Sequence, residues 1–268
     1  MDDWTLRGVR RGGGRRARRI VSFGVRHVVL IALLIVMLYP IVWMLAASFE
    51  PSAQIFINAG LLPKTWTLAN YRNGWFPLHD LSFTQLFGNS LLISCLAVIG
   101  NVFSCTVAAY AFARLRFRFR AVLFAVMLLT IMLPYQVLII PQYILFLKLG
   151  WLNTYLPLVV PRFLAVDAFF VFLMVQFIRG LPRELDEAAR MDGCGHLQVF
   201  LRIIVPLSAP AMATTAIFTF INSWNDFLGP LLYLTKPGMY TVPLGLNLFI
   251  DSSEVSQWGP LFAMAVLS

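Results

Sequence analysis

The chain has 268 residues, of which 59% are hydrophobic and only 12% are charged, and its formal net charge is +9. Soluble domains carry about 25% charged and about 45–50% apolar residues, so this composition excludes an ordinary soluble globular protein. The apolar residues stand in runs of about the 20 residues that a helix needs to cross a bilayer. We therefore predict an all-α polytopic membrane protein.

Most of the positive charge lies in three groups of arginines. One group precedes the first apolar run, one fills a short loop, and one lies in or beside a charged segment at residues 180–206: Arg7, Arg10, Arg11, Arg15, Arg16, Arg18, Arg19 and Arg26; Arg114, Arg116, Arg118 and Arg120; Arg179, Arg183, Arg190 and Arg202. Basic residues concentrate on the cytoplasmic side of membrane proteins. Because the apolar runs place all three groups on one side, the charge indicates a cytoplasmic N-terminus rather than nucleic-acid binding.

The chain divides into a basic N-terminal arm, residues 1–27, and a transmembrane domain, residues 28–268. The arm contains RRGGGRRARR, for which we predict disorder and attraction to anionic lipid head groups. The first apolar run, 28–49, is longer than the about 7–15 apolar residues of a secretory signal. We therefore predict a retained membrane helix.

Five further apolar runs follow, separated by mixed segments at 50–86 and 235–258 that we predict to be outer loops; the runs are 87–113, 121–147, 155–178, 206–234 and one that begins at Gly259. Pro134 and Pro141 predict a kink in the third run, since proline frees backbone carbonyls. The last run has about half the length of a crossing before Ser268, so we expect the natural chain to continue. The pattern predicts about six transmembrane helices, with the sixth truncated here.

The charged segment at 180–206 reads ELDEAARMDGCGHLQVFLRIIVP from Glu184 onwards. Acidic residues crowd its first turn, where the helix dipole favours them, and Gly193 and Gly195 predict a left-handed break. Apolar residues at helical spacing follow the break, at Leu197, Phe200, Leu201 and Ile204, and an earlier set shares one face, at Leu181, Leu185, Ala188 and Ala189. We predict two short helices, the second closed by Pro206. They either pack only on their own bundle or present a surface to a partner.

The spacing of this segment resembles the signature of permease subunits of ATP-binding cassette (ABC) importers. That signature is E-A-A, three residues, glycine, nine residues, isoleucine, two residues and proline; it matches Glu187-Ala188-Ala189, Gly193, Ile203 and Pro206, with Val205 where leucine is usual. Three further stretches resemble the MalG type of carbohydrate importers: AAYAFARLRF (108–117), MLPYQVLIIPQYILFLKLGWLNT (132–154) and SWNDFLGPLLYL (223–234).

The resemblance implies an ABC type I importer permease fold with a cytoplasmic coupling helix, in a bacterial cytoplasmic membrane. It implies pairing with a second, MalF-like permease as a heterodimer, a dimer of cytoplasmic ATPase subunits and an extracytoplasmic solute-binding protein. ATP-Mg would be bound by the ATPase subunits, with no cofactor or metal on this chain. The residues implied in ATPase coupling are Glu187, Ala188, Ala189, Asp192 and Gly193. The solute would be a sugar or a related compound, with polyols and glycerol-phosphate compounds as alternatives.

Three ionisable residues stand inside apolar runs, where charge is costly and usually functional: Arg162, Asp167 and Asp226. Arg162 could simply snorkel to the membrane surface, and Asp167, five residues later, is an imperfect helical partner for it. Asp226, with Trp224 and Asn225, could line a sugar path, because aromatic faces and amide or carboxylate groups suit polyhydroxylated solutes.

Two other classes of function are possible on the residues alone. An ion-coupled secondary transporter could use Asp167 or Asp226 and would need no ATPase. A membrane enzyme is disfavoured, because the chain has no H-E-x-x-H, G-x-S-x-G or P-loop motif, and its histidines, His27, His79 and His196, are scattered. The cysteines, Cys95, Cys105 and Cys194, show no metal-ligand spacing, and we interpret them as packing residues.

Overall fold

The structure, a computed structural model, describes residues 12–57, 60–77, 81–250 and 257–268, with side chains from Phe23 onwards. His79 and the first three arginines of the arm lie outside these ranges. Every regular element in the described part of the chain is helical, which confirms the all-α prediction. The chain divides into two compact units, one formed by residues up to 74 with 257–267, and the other by residues 75–256 with Ser268.

The first unit begins with one long helix, α1 (Gly12–Ala47), which continues through the first apolar run. The predicted disorder of the basic arm is therefore wrong from Gly12 onwards. Arginine and alanine are good helix formers, so the RRARR stretch extends the apolar helix rather than ending it. The side chains at positions 23–42 are exposed and mostly apolar, as suits contact with lipid.

Two shorter helices complete the first unit: α2 (Ala69–Gly74) and α14 (Trp258–Leu267). The side-chain amide of Asn70 in α2 donates hydrogen bonds to the carbonyls of Ser48 and Glu50, at 2.9 and 2.8 Å. The backbone N–H of Gly259 in α14 donates to Ser52 Oγ at 3.1 Å. The first apolar run, the part of the predicted outer loop 50–86 that ends at Gly74, and the last apolar run up to Leu267 thus belong to one unit.

The second unit is organised around α3 (Phe83–Arg114), a 32-residue helix capped by Ser82, whose Oγ accepts from the Gln85 N–H at 3.3 Å. Its core face consists largely of small residues, which permit close approach of helices in a membrane; they include Ala97, Cys105, Ala109 and Ala113. At Gly100 the ring of Phe163 lies so close that an added Cβ would stand 2.5 Å from it.

Two helices pack along α3. The first, α7 (Ala168–Gly180), contributes a buried apolar face, Val171, Met174, Val175 and Ile178. The second, α11 (Ala209–Trp224), is joined to α3 by a hydrogen bond from Asn101 Nδ2 to Thr219 Oγ1 at 2.8 Å. Both polar groups are buried, so this bond fixes the two helices against each other.

The third apolar run is bent more sharply than predicted. It forms α4 (Arg120–Thr130) and α5 (Tyr135–Lys148), which meet at 102°. Pro134 immediately precedes α5, as expected of a residue that cannot continue the preceding helix, whereas Pro141 lies inside α5. The predicted kink is a break at Pro134.

The fourth apolar run is also interrupted, which its sequence did not predict. It consists of α6 (Leu156–Val159), a 3₁₀ turn (Val160–Leu164) and α7, and Ala165 between them has a left-handed φ of 53°. The fifth run ends its helix at Trp224 and resumes as α12 (Leu228–Tyr233). The predicted outer loop that follows contains a 3₁₀ turn (Pro237–Met239) and α13 (Val242–Asn247).

Within the described ranges, three helical segments are long and apolar enough to cross a membrane: Phe23–Ala47, Phe83–Arg114 and Leu156–Gly180. Two bent pairs, α4 with α5 and the helical stretch His196–Leu207 with α11, raise the number to as many as five. The helix α14 has ten residues. A multi-span membrane protein is confirmed, and the count of six stays a prediction.

Candidate functional site

The first half of the 180–206 segment forms α8 (Glu184–Met191), with Glu184, Asp186 and Glu187 in its first turn as the helix dipole favours. The two buried residues of α8, Asp186 and Ala189, lie three positions apart and therefore face the same side. The predicted first helix is confirmed, but its apolar residues do not share one buried face, since Leu185 and Ala188 are exposed.

An ion pair fastens α8 to the end of α3. Arg114 Nε lies 3.0 Å from Asp186 Oδ2, and the two side chains are only 3% and 10% exposed. Arg114 Nη2 also donates to the carbonyl of Leu181 at 2.8 Å. Because Arg114 is the last residue of α3, these contacts attach α8 to the C-terminal end of that helix.

A glycine turn ends α8. Gly193 has a φ of +83°. Its N–H donates to the carbonyl of Arg190 at 3.0 Å, and the N–H of Cys194 donates to the carbonyl of Ala189 at 2.9 Å. This is a Schellman motif, which requires a left-handed residue and so favours glycine. Gly195 differs, with φ −74° at the N-terminus of α9 (His196–Val199). The predicted left-handed break is confirmed at Gly193 and wrong at Gly195.

The second half of the segment forms the predicted second helix, which starts with α9. A π-helical turn (Phe200–Ile204) and α10 (Val205–Leu207) continue α9, and the bend of 72° follows at Ser208. The predicted closure at Pro206 is therefore early, because the helix continues through Leu207.

The predicted apolar face of this second half is divided. Phe200 and Ile204 are buried together with Val199, whereas Leu197 and Leu201 are exposed. The single face was therefore a wrong prediction. The extra residue of the π-helical turn shifts the helical register, so residues spaced for one α-helical face point in two directions.

The exposed side of the 180–206 segment carries apolar residues among charged ones. Met191 is 85% exposed and Leu197 is 68% exposed, and the neighbouring Glu184, Glu187 and Asp192 are exposed as well. Apolar surface rimmed by polar residues is typical of protein–protein contact. Among the residues implied in coupling, the side chain of Ala189 packs in the core, whereas Glu187, Ala188, Asp192 and Gly193 are exposed.

Two of the ionisable residues of the apolar runs pair directly, and the third lies near them. Arg162 forms an ion pair with Asp167, whereas Asp226 lies within electrostatic range of Arg162 but makes no ion pair with it in the described part of the chain. The chain between Arg162 and Asp167 leaves the helix at Ala165, so the argument that five residues make an imperfect helical pair does not apply. Tyr135 also lies within electrostatic range of Asp226, a neighbour that the sequence did not indicate.

The two other predicted path residues have local contacts. The Trp224 ring stacks on Phe220 with centroids 5.5 Å apart and meets Phe87 edge-on at 4.9 Å, and its indole N–H donates to the Ser268 carbonyl at 3.2 Å. The Asn225 side-chain amide donates to the carbonyl of Ile221 at 2.9 Å. Both residues adjoin Asp226 in the break between α11 and α12.

Residues 100–268, more than half of the chain, match the family described as the binding-protein-dependent transport system inner membrane component. This chain belongs to that family of ABC importer permeases. The arabinooligosaccharides transport system permease protein AraQ of Halalkalibacterium halodurans is 37% identical over 78% of this permease and 74% of its own length. The trehalose/maltose transport system permease protein MalG of Thermococcus litoralis is 34% identical over 89% and 85%.

A solved structure gives the same result for the fold. The crystal structure of a bacterial ABC transporter involved in the import of the acidic polysaccharide alginate contains a chain that superposes on this permease with a TM-score of 0.81. That chain is 25% identical, and the match covers 94% of this permease and 92% of the other chain. The resemblance to a carbohydrate-uptake ABC permease is confirmed, and nothing in these similarities favours the ion-coupled alternative. The family is one of transport proteins and not an enzyme class.

Proposed function

We propose that this permease forms a heterodimer with a second, MalF-like permease and that a dimer of ATPase subunits docks on its 180–206 segment. The N-terminus and this segment would face the cytoplasm, and an extracytoplasmic binding protein would deliver the solute from the other side. The arginine groups support this orientation, because basic residues concentrate on the cytoplasmic side. ATP-Mg would be bound by the ATPase subunits alone.

The observation that carries the proposal is the division of the 180–206 segment into an anchored side and an exposed apolar side. A hairpin that served only its own bundle would bury its largest apolar side chains. Here Asp186 and Ala189 are buried, while the larger Met191 and Leu197 are mostly exposed. A helix that is fixed to its own bundle and carries exposed apolar side chains suits a partner protein that binds over them. Glu187 and Asp192 would add charge-assisted contacts at the edge of that surface.

The anchors indicate how nucleotide would act on the membrane part. When the ATPase dimer closes on ATP, its cleft would move α8, and the Arg114–Asp186 pair would pass the motion to α3. The helical stretch from His196 would pass it through the bend at Ser208 to α11. Nucleotide and binding protein would thus bias one two-state element from opposite sides.

Co-purification tests the docking. We expect the wild-type permease, extracted from its own membranes, to retain an ATPase subunit. In Glu187→Ala/Met191→Glu the amount of retained ATPase is expected to fall at least about tenfold, since the variant removes an apolar contact that docking would bury and a charge contact. Arg118→Glu is the control: like Met191→Glu it introduces an exposed carboxylate, but in the α3–α4 loop and not on the exposed apolar side of α8, and it is expected to retain the ATPase. Equal retention by all three proteins would contradict docking at this surface.

The solute is proposed to be a mono- or oligosaccharide or a glycoside. The three relatives described above are transporters of arabinooligosaccharides, trehalose/maltose and alginate, which are all carbohydrates. The cluster of Arg162, Asp167 and Asp226, with Trp224 and Asn225 beside it, is the proposed contact of this chain with the path. Charged groups and amides offer strong hydrogen bonds to hydroxyl groups.

Substitution of Asp226 tests that path. Asp226→Asn is expected to lower the uptake rate at saturating binding protein by about tenfold, as the loss of a hydrogen bond to a charged group predicts. Asn222→Ala, an exposed residue one turn earlier in α11, should change uptake less than about twofold, because surface changes have small effects. Uptake of radiolabelled sugar into cells measures both. Equal rates in the two variants would remove Asp226 from the path.

A further inference from the structure

A cavity of about 610 Å³ lies beside α8, and the proposed function uses only Glu187 and the Arg114–Asp186 pair among its lining residues. Its lining consists of Leu115 and Phe117 with seven charged or titratable residues, which are Arg114, Arg116, Arg183, Asp186, Glu187, Arg190 and His196. The cavity therefore joins the short loop between α3 and α4 to one face of α8. Four of its lining residues are arginines and two are acids.

The charges of this cavity are not balanced within it. Arg114 is neutralised by Asp186, whereas Arg116, Arg183 and Arg190 form no ion pair with a carboxylate in the described part of the chain. Arg190 Nη2 lies 3.2 Å from His196 Nδ1, a hydrogen bond that supplies no negative charge. Glu187 is the one remaining acid. An anion in the cavity would relieve the mutual repulsion of three guanidinium groups.

The cavity lies at the ends of two candidate membrane spans. One wall begins at Arg114, the last residue of the span Phe83–Arg114, and the other lies three residues beyond the end of the span Leu156–Gly180. Phe117 and Phe119 alternate with the arginines of the α3–α4 loop and are exposed.

The cavity faces away from the exposed apolar stripe of α8. Its lining residues on this helix are spaced i, i+3, i+4 and i+7, from Arg183 to Arg190, which places them on one side of an α-helix. At 100° per residue, the stripe of Leu185, Ala188 and Met191 is centred on a clearly different side. A partner centred on that stripe would leave the side of α8 that lines the cavity uncovered.

We propose that this cavity binds the phosphate head group of an anionic phospholipid. Arg116 and Arg183 would hold the phosphate oxygens, since guanidinium groups match phosphate geometry, and Phe117 would line the passage toward the acyl chains. A lipid seated there bridges the α3–α4 loop and α8. It would strengthen the attachment of α8 to the end of α3 that the buried Arg114–Asp186 ion pair provides.

Native mass spectrometry tests this site with the full-length permease and its co-purified subunits in nanodiscs of phosphatidylcholine and phosphatidylglycerol in equal amounts. Wild type is expected to retain phosphatidylglycerol preferentially, and Arg116→Gln/Arg183→Gln to lose that preference by about thirtyfold, given the strength of basic residues at anionic membrane surfaces. Arg118→Gln/Arg202→Gln is the control. It removes the same charge from exposed positions that do not line the cavity.

Equal loss of phosphatidylglycerol in both double variants would overturn the site in favour of general surface attraction. Displacement of the lipid by excess inorganic phosphate would indicate a free-anion site instead. Unchanged lipid retention with loss of the ATPase subunit would show that the arginines face the ATPase. The lipid readout does not depend on ATPase docking, so its failure leaves the proposed coupling surface standing, and a failure of docking leaves the lipid site standing.

Discussion

Gly193→Asp is expected to leave the permease inserted in the membrane and to reduce solute uptake by about tenfold or more. Gly193 has a φ of +83°, and a left-handed backbone costs an L-residue roughly 1–2 kcal/mol. No atom lies within 4 Å of where its Cβ would stand, so the cost is one of backbone conformation and not of a clash. The Schellman turn that sets the end of α8 would loosen, and the coupling surface would lose its fixed position.

Gly195→Asp provides a close control for that variant. Gly195 also has open space at its Cβ position, but its φ of −74° is ordinary, and it stands at the N-terminus of α9, where aspartate is a preferred cap. The same new charge, two residues away, should therefore change uptake less than about twofold, because it imposes no strain and can stabilise the helix start. Uptake and membrane abundance would be measured together. Equal losses in the two variants would mean that the added charge, and not the turn, is responsible.

The second large effect is expected at the buried ion pair. Asp186→Asn would leave the guanidinium of Arg114 buried without its counter-charge, which typically costs about 3–5 kcal/mol. For a protein of this size we expect the unfolding midpoint to fall by about 10 °C. Uptake should be lost as well, because α8 would no longer be fastened to α3.

A double substitution distinguishes the effect of an unpaired buried charge from the effect of changing each side chain. Arg114→Met/Asp186→Leu removes both charges, and a buried ion pair replaced by apolar residues is often close to neutral in stability. The double variant should therefore be more stable than either single variant, a positive coupling that only neighbouring residues show. Glu184→Gln, an exposed acid on the same helix, should unfold at the wild-type temperature. Additive losses at Arg114 and Asp186 would mean that the two charges do not interact.

The features that the sequence predicted well are those whose cause is local. Gly193 ends α8 because the turn requires a left-handed residue, and Pro134 breaks the third run because proline cannot continue a helix. The acids of the first turn mark the start of α8 for a similarly local reason. The long, fixed spacing from Glu187 to Pro206 made the family recognisable from a single sequence.

The features that it missed depend on contacts between distant residues or on backbone shifts with a weak residue signature. Arg114 and Asp186 are 72 positions apart, and each looked like one member of a charged group rather than half of a buried pair. Ala165 breaks the fourth run without a glycine, and the only local signal is Pro161 in the preceding 3₁₀ turn. The π-helical turn at Phe200–Ile204 divides an apolar face that ideal helical spacing kept together.

The division of α8 into an anchored and an exposed side has a consequence for how such transporters diversify. The residues that hold the helix, Asp186 and Ala189, are distinct from those that a partner would meet, Leu185 and Met191. With the proposed docking, substitutions in the second set would change which ATPase is accepted without disturbing the fold, because surface changes far from buried contacts have small effects on stability. One permease scaffold would then accept a different ATPase after a change of a few side chains on a single helix.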